Sequence, residues 1–174
     1  MTLAEIAESL PAYARDLKLN LQNVVAQQEL TEQQTWTVAV ACALACRDET
    51  LSRAVLAEAA AKLAPQQLES ARAAFAIMEM NNIYYRFRHM LDRDEYANIP
   101  ARLRMQAIRM HGGDPVDFEL ACLAASAING CEACIRSHEA AVRDKGVTPE
   151  AVVAAVRIAA TLHAVAAVLE APSN

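Results

Sequence analysis

The chain has 174 residues, 55% hydrophobic and 21% charged, with only four glycines. That composition excludes disordered, collagen-like and low-complexity architectures, and the length suits a single domain able to bury its own core. Sixteen basic residues against twenty-one acidic ones leave a formal charge of −5, which argues against bulk attraction to nucleic acid or an anionic membrane.

From the N-terminus onward, the first segment carries Glu5, Glu8 and Asp16 and lacks the basic start and apolar run of a secretory signal. No stretch approaches the roughly 20 uninterrupted apolar residues of a membrane helix. The expected location is cytoplasmic, where thiols stay reduced unless they do redox work. The five cysteines therefore read as small buried hydrophobes, metal ligands or reactive thiols rather than structural bridges.

Alanine-rich segments of high helix propensity follow, among them WTVAVACALAC, LSRAVLAEAAAKL and PQQLESARAAFAIMEM. Punctuation falls at Arg47-Asp48, Ala64-Pro65, Asn81-Asn82, Ile99-Pro100, Gly112 to Pro115, Asn129-Gly130, Gly146 and Thr148-Pro149. Thr31 before Glu32, Asp114 before Pro115 and Thr148 before Pro149 predict capped helix starts. No run alternates at period two, so the fold class is all-α, with eight or nine short helices. Residues 84–111 are locally basic and aromatic, with Arg86, Arg88, Arg93, Arg102, Arg104 and Arg109 broken up by Asp92, Asp94 and Glu95. They are expected to pack two parts of the molecule together and form ion pairs, rather than to bind RNA.

A shift of 84 residues lays Pro65 on Pro149, Ala41 and Ala43 on Ala125 and Ala127, and Trp36 on Leu120. One domain over 1–174 would then consist of two similar halves. In this alignment Thr35, Arg47, Thr50 and Ala54 lie opposite Glu119, Cys131, Cys134 and His138. Half 1–97 is a degenerate scaffold and half 98–174 carries the chemistry.

That chemistry centres on Cys131-Glu132-Ala133-Cys134, directly after Asn129-Gly130. Asn-Gly ends the preceding helix and puts the pair in the first turn of the next, where free N–H groups and the helix dipole favour a thiolate. Sulfurs three residues apart can cycle between dithiol and disulfide. His138 follows four residues after Cys134, on the same helical face, and can take a thiol proton. Glu119 sits far enough up the preceding helix to face His138 if the two helices run antiparallel, orienting the imidazole. Glu132, a carboxylate beside the thiols, opposes the thiolate. Cys42, Cys46 and Cys122 read as buried core, His163 as a packed or hydrogen-bonded residue of the last helix, and His111 as loop. Cys131, Cys134 and His138 could also ligate zinc, although no second CxxC or histidine pair is present to close a tetrahedral site.

The pattern E-x11-C-x2-C-x3-H formed by Glu119, Cys131, Cys134 and His138 resembles the signature of AhpD-type alkyl hydroperoxidases, in the carboxymuconolactone decarboxylase-like superfamily. The likeness extends to LPAYARDLKLNLQNV, MNNIYYRFR and FELACLAASAINGCEACIRSHE. It implies an all-helical antioxidant enzyme without cofactor or metal, assembled into trimers or hexamers; the mean hydropathy of +0.11 points to an oligomer too. It also implies reduction of organic hydroperoxides, a dihydrolipoyl carrier protein as electron donor, and the peroxiredoxin AhpC as a partner. By the same resemblance, Cys134 attacks the peroxide, Cys131 resolves it into the Cys131–Cys134 disulfide, and His138 and Glu119 relay protons. The helix-terminus argument instead makes Cys131 the more exposed and acidic thiol, suited to exchange with the reductant. Two alternatives share these residues: a reductant of a peroxiredoxin acting through a mixed disulfide at Cys131, and a zinc-binding helical module.

Overall fold

Side-chain caps set where the helices begin. In the computed structural model, which describes residues 1–172, Thr2 caps α1 (Leu3–Ser9) and Thr31 caps α3 (Glu32–Cys46); each forms a reciprocal box with the side chain three residues on, Glu5 and Gln34. A 3-10 turn (Ala12–Ala14) and α2 (Arg15–Val24) lie between them. Asp48 caps α4 (Glu49–Ala59), and Pro65 opens α5 (Pro65–Leu91). After the four-residue helices α6 (Asp94–Ala97) and α7 (Ala107–Met110), Asp114 caps α8 (Pro115–Ile128). Cys131 caps α9 (Glu132–Asp144), and Thr148 caps α10 (Pro149–Glu170). Residues 173 and 174, the end of the expected 1–174 domain, lie outside the described residues.

The fold is all-α, with ten helices and no strand among the described residues. The count exceeds eight or nine because α6 and α7 form inside the basic stretch. Asn81-Asn82 is not a boundary: α5 runs straight through it. An asparagine breaks a helix when its side chain competes for local backbone groups. Here Asn82 is fully buried and donates instead to the Ser126 hydroxyl (2.8 Å), while Asn81 is buried beside the cysteines.

Helix α3 occupies the centre. Its residues Thr35 to Ala43 are all buried, leaving no polar face, as expected of a helix enclosed on every side. It packs against α4, α5, α8 and α10, and α8 in turn packs against α5, α9 and α10. Alanines at 39, 41, 43 and 45 of α3 and at 121, 124 and 125 of α8 are buried. Small side chains at these contacts let the helices approach closely, and the bulk comes from Val38, Val40, Leu51, Leu120, Leu123, Ile158 and Leu162. By length and mean apolarity α10 is able to cross a membrane. Its inner face, however, is the core stripe Ala155, Ile158, Leu162 and Val165, and its Arg157 pairs with Glu29 (2.8 Å).

His163 departs from expectation. It is exposed, on the outward stripe of α10 with Val153 and Ala160, because the inward positions belong to residues three and four apart from Ile158. Cys42 and Cys122 are fully buried, but Cys46 is only half-buried. Desolvation still pushes the Cys46 thiol up to about 12, helped by the nearby Asp48 carboxylate, so it is inert at neutral pH.

His111 lies in a loop, as expected, and stacks on Phe118 with ring centroids 4.0 Å apart. Its Nδ1 accepts from the Gly113 N–H (3.2 Å) and the Ser70 hydroxyl (2.9 Å). Desolvation lowers its pKa below the usual 6.5, with the carboxylates of Glu119 and Asp114 acting in the opposite direction. The unfolded chain therefore binds the extra proton first. The His111 contribution is complete above the unfolded pKa and is lost as pH falls through the folded one. The stability of wild type relative to His111→Gln should accordingly fall as pH drops from about 7.5 to about 5.5, read from denaturation midpoints; a relative rise on acidification would contradict this sign.

Candidate active site

The turn that carries the cysteines is closed by two backbone hydrogen bonds. The Gly130 N–H donates to the Ala127 carbonyl (3.2 Å) and the Cys131 N–H to the Ser126 carbonyl (3.1 Å). This is the pattern that ends a helix through a left-handed residue, and Gly130 has φ +66°. A Cβ there would meet nothing within 4 Å, so Gly130→Ala carries only the conformational penalty, about 1 kcal/mol. A denaturant midpoint unchanged in that variant would contradict this reading.

Chain direction reverses at Gly130, and Cys131 becomes the N-cap of α9, its Sγ accepting from the Cys134 N–H (3.4 Å). The turn between α3 and α4 has the same construction. Arg47 is left-handed there (φ +62°), and the Asp48 side chain caps α4 by accepting from the Leu51 N–H (2.6 Å). By cap position, Cys131 thus corresponds to Asp48 and Cys134 to Leu51. The ungapped alignment, which set Arg47 and Thr50 opposite them, is one residue out of step at this turn.

Helix α5 grips the turn from the side. Asn129 donates from Nδ2 to Glu79 Oε1 (2.9 Å) and Asn82 Oδ1 (3.0 Å), and its carbonyl accepts from Arg86. Glu79 also pairs with Arg47. The basic stretch does pack elements together here: Arg86 holds the site turn, and His89 lies 3.3 Å from Glu132. Arg102, Arg104 and Arg109 point to solvent.

Cys131 and Cys134 are joined as a disulfide, with Cα atoms 5.3 Å apart. His138 Nδ1 lies 2.6 Å from Glu119 Oε2, bridging α9 and α8 as the antiparallel reading expected. The pair is shielded, with side chains 13% and 26% exposed. This leaves Nε2 as the ring nitrogen free of Glu119. All four predicted residues therefore meet in one place.

Their exposures reverse one expectation. Cys131 is fully buried, whereas Cys134 retains 6% exposure and lines a pocket of about 240 Å³ with His138. The more exposed sulfur is thus Cys134, because the N-cap side chain turns back under the first turn to reach a backbone N–H while the third residue faces outward. Glu132 is likewise less disturbing than a lone carboxylate. It is exposed and paired with Arg136 Nε (2.9 Å) as well as His89, and these partners hold its carboxyl below the usual range. Its charge is met on the outer side of the helix, away from the pocket.

The remaining walls come mostly from elements that the sequence reading did not connect with the site. Asn81 and Tyr85 of α5, Met105, Ile108 of α7, and Ala133 and Ser137 of α9 complete the lining, and the Tyr85 hydroxyl donates to Met105 Sδ (3.8 Å). One available signal was the helical spacing of Asn81 and Tyr85, four residues apart beside the i, i+4 pair Cys134 and His138. Among the described residues no group of three His, Cys, Asp or Glu side chains forms a metal cradle.

Residues 94–172 match the carboxymuconolactone decarboxylase family. Similarity to individual proteins runs nearly end to end. A Solibacter usitatus protein called alkyl hydroperoxide reductase AhpD is 56% identical over 170 residues, covering 98% of this chain and 96% of the relative. Proteins of the same name from Acidobacterium capsulatum and Maricaulis maris are 52% and 49% identical, with 98% and 99% of this chain and 94% and 100% of theirs covered. At that identity and coverage the chain belongs to the AhpD family.

Proposed function

We propose that this protein is a thiol peroxidase that reduces alkyl hydroperoxides through the Cys131–Cys134 pair. The observation that carries the reading is a CxxC disulfide whose pocket-facing sulfur, Cys134, shares a largely apolar cleft with a glutamate-held histidine. The name borne by the relatives points the same way. Met105, Ile108 and Tyr85 suit the organic part of a hydroperoxide.

In this reading the Cys134 thiolate attacks the peroxide and becomes a sulfenic acid, and His138 delivers a proton to the departing alkoxide. Glu119 fixes the ring through Nδ1 and stabilises its charged form. Cys131, held behind Cys134 as the helix cap, then displaces the sulfenic oxygen as water to give the disulfide. A dihydrolipoyl group on a carrier protein, a dithiol on a long arm, reduces it again. AhpC is the partner peroxiredoxin, in the cytoplasm. The same reading keeps half 1–97 as the scaffold without redox residues and half 98–174 as the half that carries them. The starts of α5 and α10 at Pro65 and Pro149, 84 residues apart, support this division.

Assembly into trimers or hexamers belongs to the reading too. Ile83, Phe87 and Met90, four and three residues apart along one face of α5, expose 58%, 50% and 75% of their surface, an apolar stripe of the kind that marks an interface. Light scattering that reports a monomer at micromolar concentration would contradict it.

The deciding experiment supplies cumene or t-butyl hydroperoxide together with dihydrolipoamide. Consumption that depends on the dithiol is expected. Negligible consumption, with a mixed disulfide to a peroxiredoxin trapped through Cys131, would replace this reading with the reductant role. Stoichiometric zinc held by the purified protein would replace it with the zinc module.

A further inference from the structure

Asn81 stands out in the pocket wall. It is 4% exposed, yet among the described residues its carboxamide oxygen, Oδ1, is buried without a hydrogen-bond partner. Leaving a buried acceptor unmet costs about 1–3 kcal/mol, and most such groups in folded proteins are satisfied. Its neighbour Asn82 is fully engaged, with Ser126 and Asn129. Asn81 instead lines the cleft with Cys134 and His138, and Cys134 Sγ lies 4.0 Å from its main-chain carbonyl.

We propose that the Asn81 carboxamide oxygen accepts the hydrogen bond of the hydroperoxide O–H at Cys134, which makes Asn81 a substrate-binding residue. This rests on the peroxidase reading above. Oδ1 itself is covered in this disulfide form, and rotation about the soft, two-fold χ2 of asparagine turns it to the cleft that the residue lines. An acceptor there selects a ligand that carries a donor, and an alkyl hydroperoxide carries one, on the oxygen that sulfur attacks. Accepting from that O–H points the oxygen at Cys134 and leaves the alkyl group to Met105 and Ile108.

The steps balance. The Cys134 thiolate forms the S–O bond as the O–O bond breaks. Sulfur is oxidised by two electrons, the peroxide is reduced, and the alkoxide leaves as alcohol with a proton from His138. The O–H travels with its oxygen onto sulfur, so Asn81 holds first the substrate and then the sulfenic acid. The Cys131 thiol next forms the disulfide, and the sulfenic oxygen departs as water with the thiol proton. The disulfide has no O–H to offer, and in this disulfide form Oδ1 is unmatched.

The test compares two oxidants of the reduced protein in single turnover. Cumene hydroperoxide brings an O–H to the site; 2,2′-dithiodipyridine oxidises the same two thiols without one. In Asn81→Leu and Asn81→Ala, oxidation by the hydroperoxide should slow about 10- to 100-fold, the loss of one well-placed hydrogen bond. Oxidation by the disulfide should stay within about twofold of wild type. Equal slowing with both oxidants would reassign Asn81 to a structural role and overturn the inference, as would an unchanged hydroperoxide rate. Wild type that reacts with dithiodipyridine but not with hydroperoxide would remove the peroxidase reading and the inference together, an outcome distinct from a defect confined to the variants. Asn81→Ala carries the comparison should the leucine variant misfold, with far-UV circular dichroism as the check.

Discussion

Cys134→Ser should lose hydroperoxide turnover by about 10³-fold or more, while Cys131→Ser should reduce one equivalent of peroxide per site and stop. The difference follows from position. Cys134 meets the pocket and Cys131 does not, so only the first can deliver a thiolate to a substrate. Serine at 134 offers a hydroxyl that stays protonated at neutral pH, and the nucleophile is gone. Serine at 131 leaves a sulfenic acid with no thiol to resolve it. It should also preserve the fold, because Cys131 caps α9 by accepting from the Cys134 N–H and serine is a preferred residue at such a cap. A dimedone adduct at Cys134 in the Cys131→Ser variant, read by mass spectrometry, is the expected signature. An active Cys134→Ser protein, or an adduct formed at Cys131, would reverse the assignment of nucleophile and resolver.

The second large effect falls on the pair His138 and Glu119, the relay of the proposed mechanism. His138→Asn should lower the rate of reaction with peroxide by about 10²–10³-fold, the range for a positioned acid–base group. Glu119→Gln should lower it by about 10- to 100-fold, because the carboxylate works through the ring and its removal takes away one charge-assisted hydrogen bond. The short contact between Nδ1 and Glu119 Oε2, 2.6 Å, joins the two into one unit. The double variant should therefore be no slower than His138→Asn alone, since residues acting together are not additive. Single-turnover rates of the four proteins settle the matter. Multiplicative losses would mean that Glu119 acts on its own account.

Much of the site was legible because it is built from local rules. Asn129-Gly130 marks a helix end since glycine adopts the left-handed conformation cheaply, and Gly130 does so. The spacing Cys131, Cys134, His138 follows one helical face, and the distance from Glu119 to Gly130 sets how far up the neighbouring helix a partner can sit. Thr31, Asp114 and Thr148 announced helices because a capping oxygen satisfies an N–H that the helix cannot. Asn81-Asn82 shows where such rules run out. Asparagine disfavours a helix interior only while its side chain has no better partner, and a partner such as Ser126, 44 residues away from Asn82, has no local signature.

By itself, then, the sequence determined the helical class, most of the helix ends and the grouping of Glu119, Cys131, Cys134 and His138, each set by interactions within a few turns of chain or across one helix pair. Only the tertiary structure decided that Cys134 rather than Cys131 faces the pocket, that α5 and α7 wall it, that Glu132 is held by His89 and Arg136, and that His163 stands in solvent. Those outcomes depend on which stripe of each helix meets a neighbour. Packing of segments far apart in the chain chooses that stripe, and no local periodicity records it.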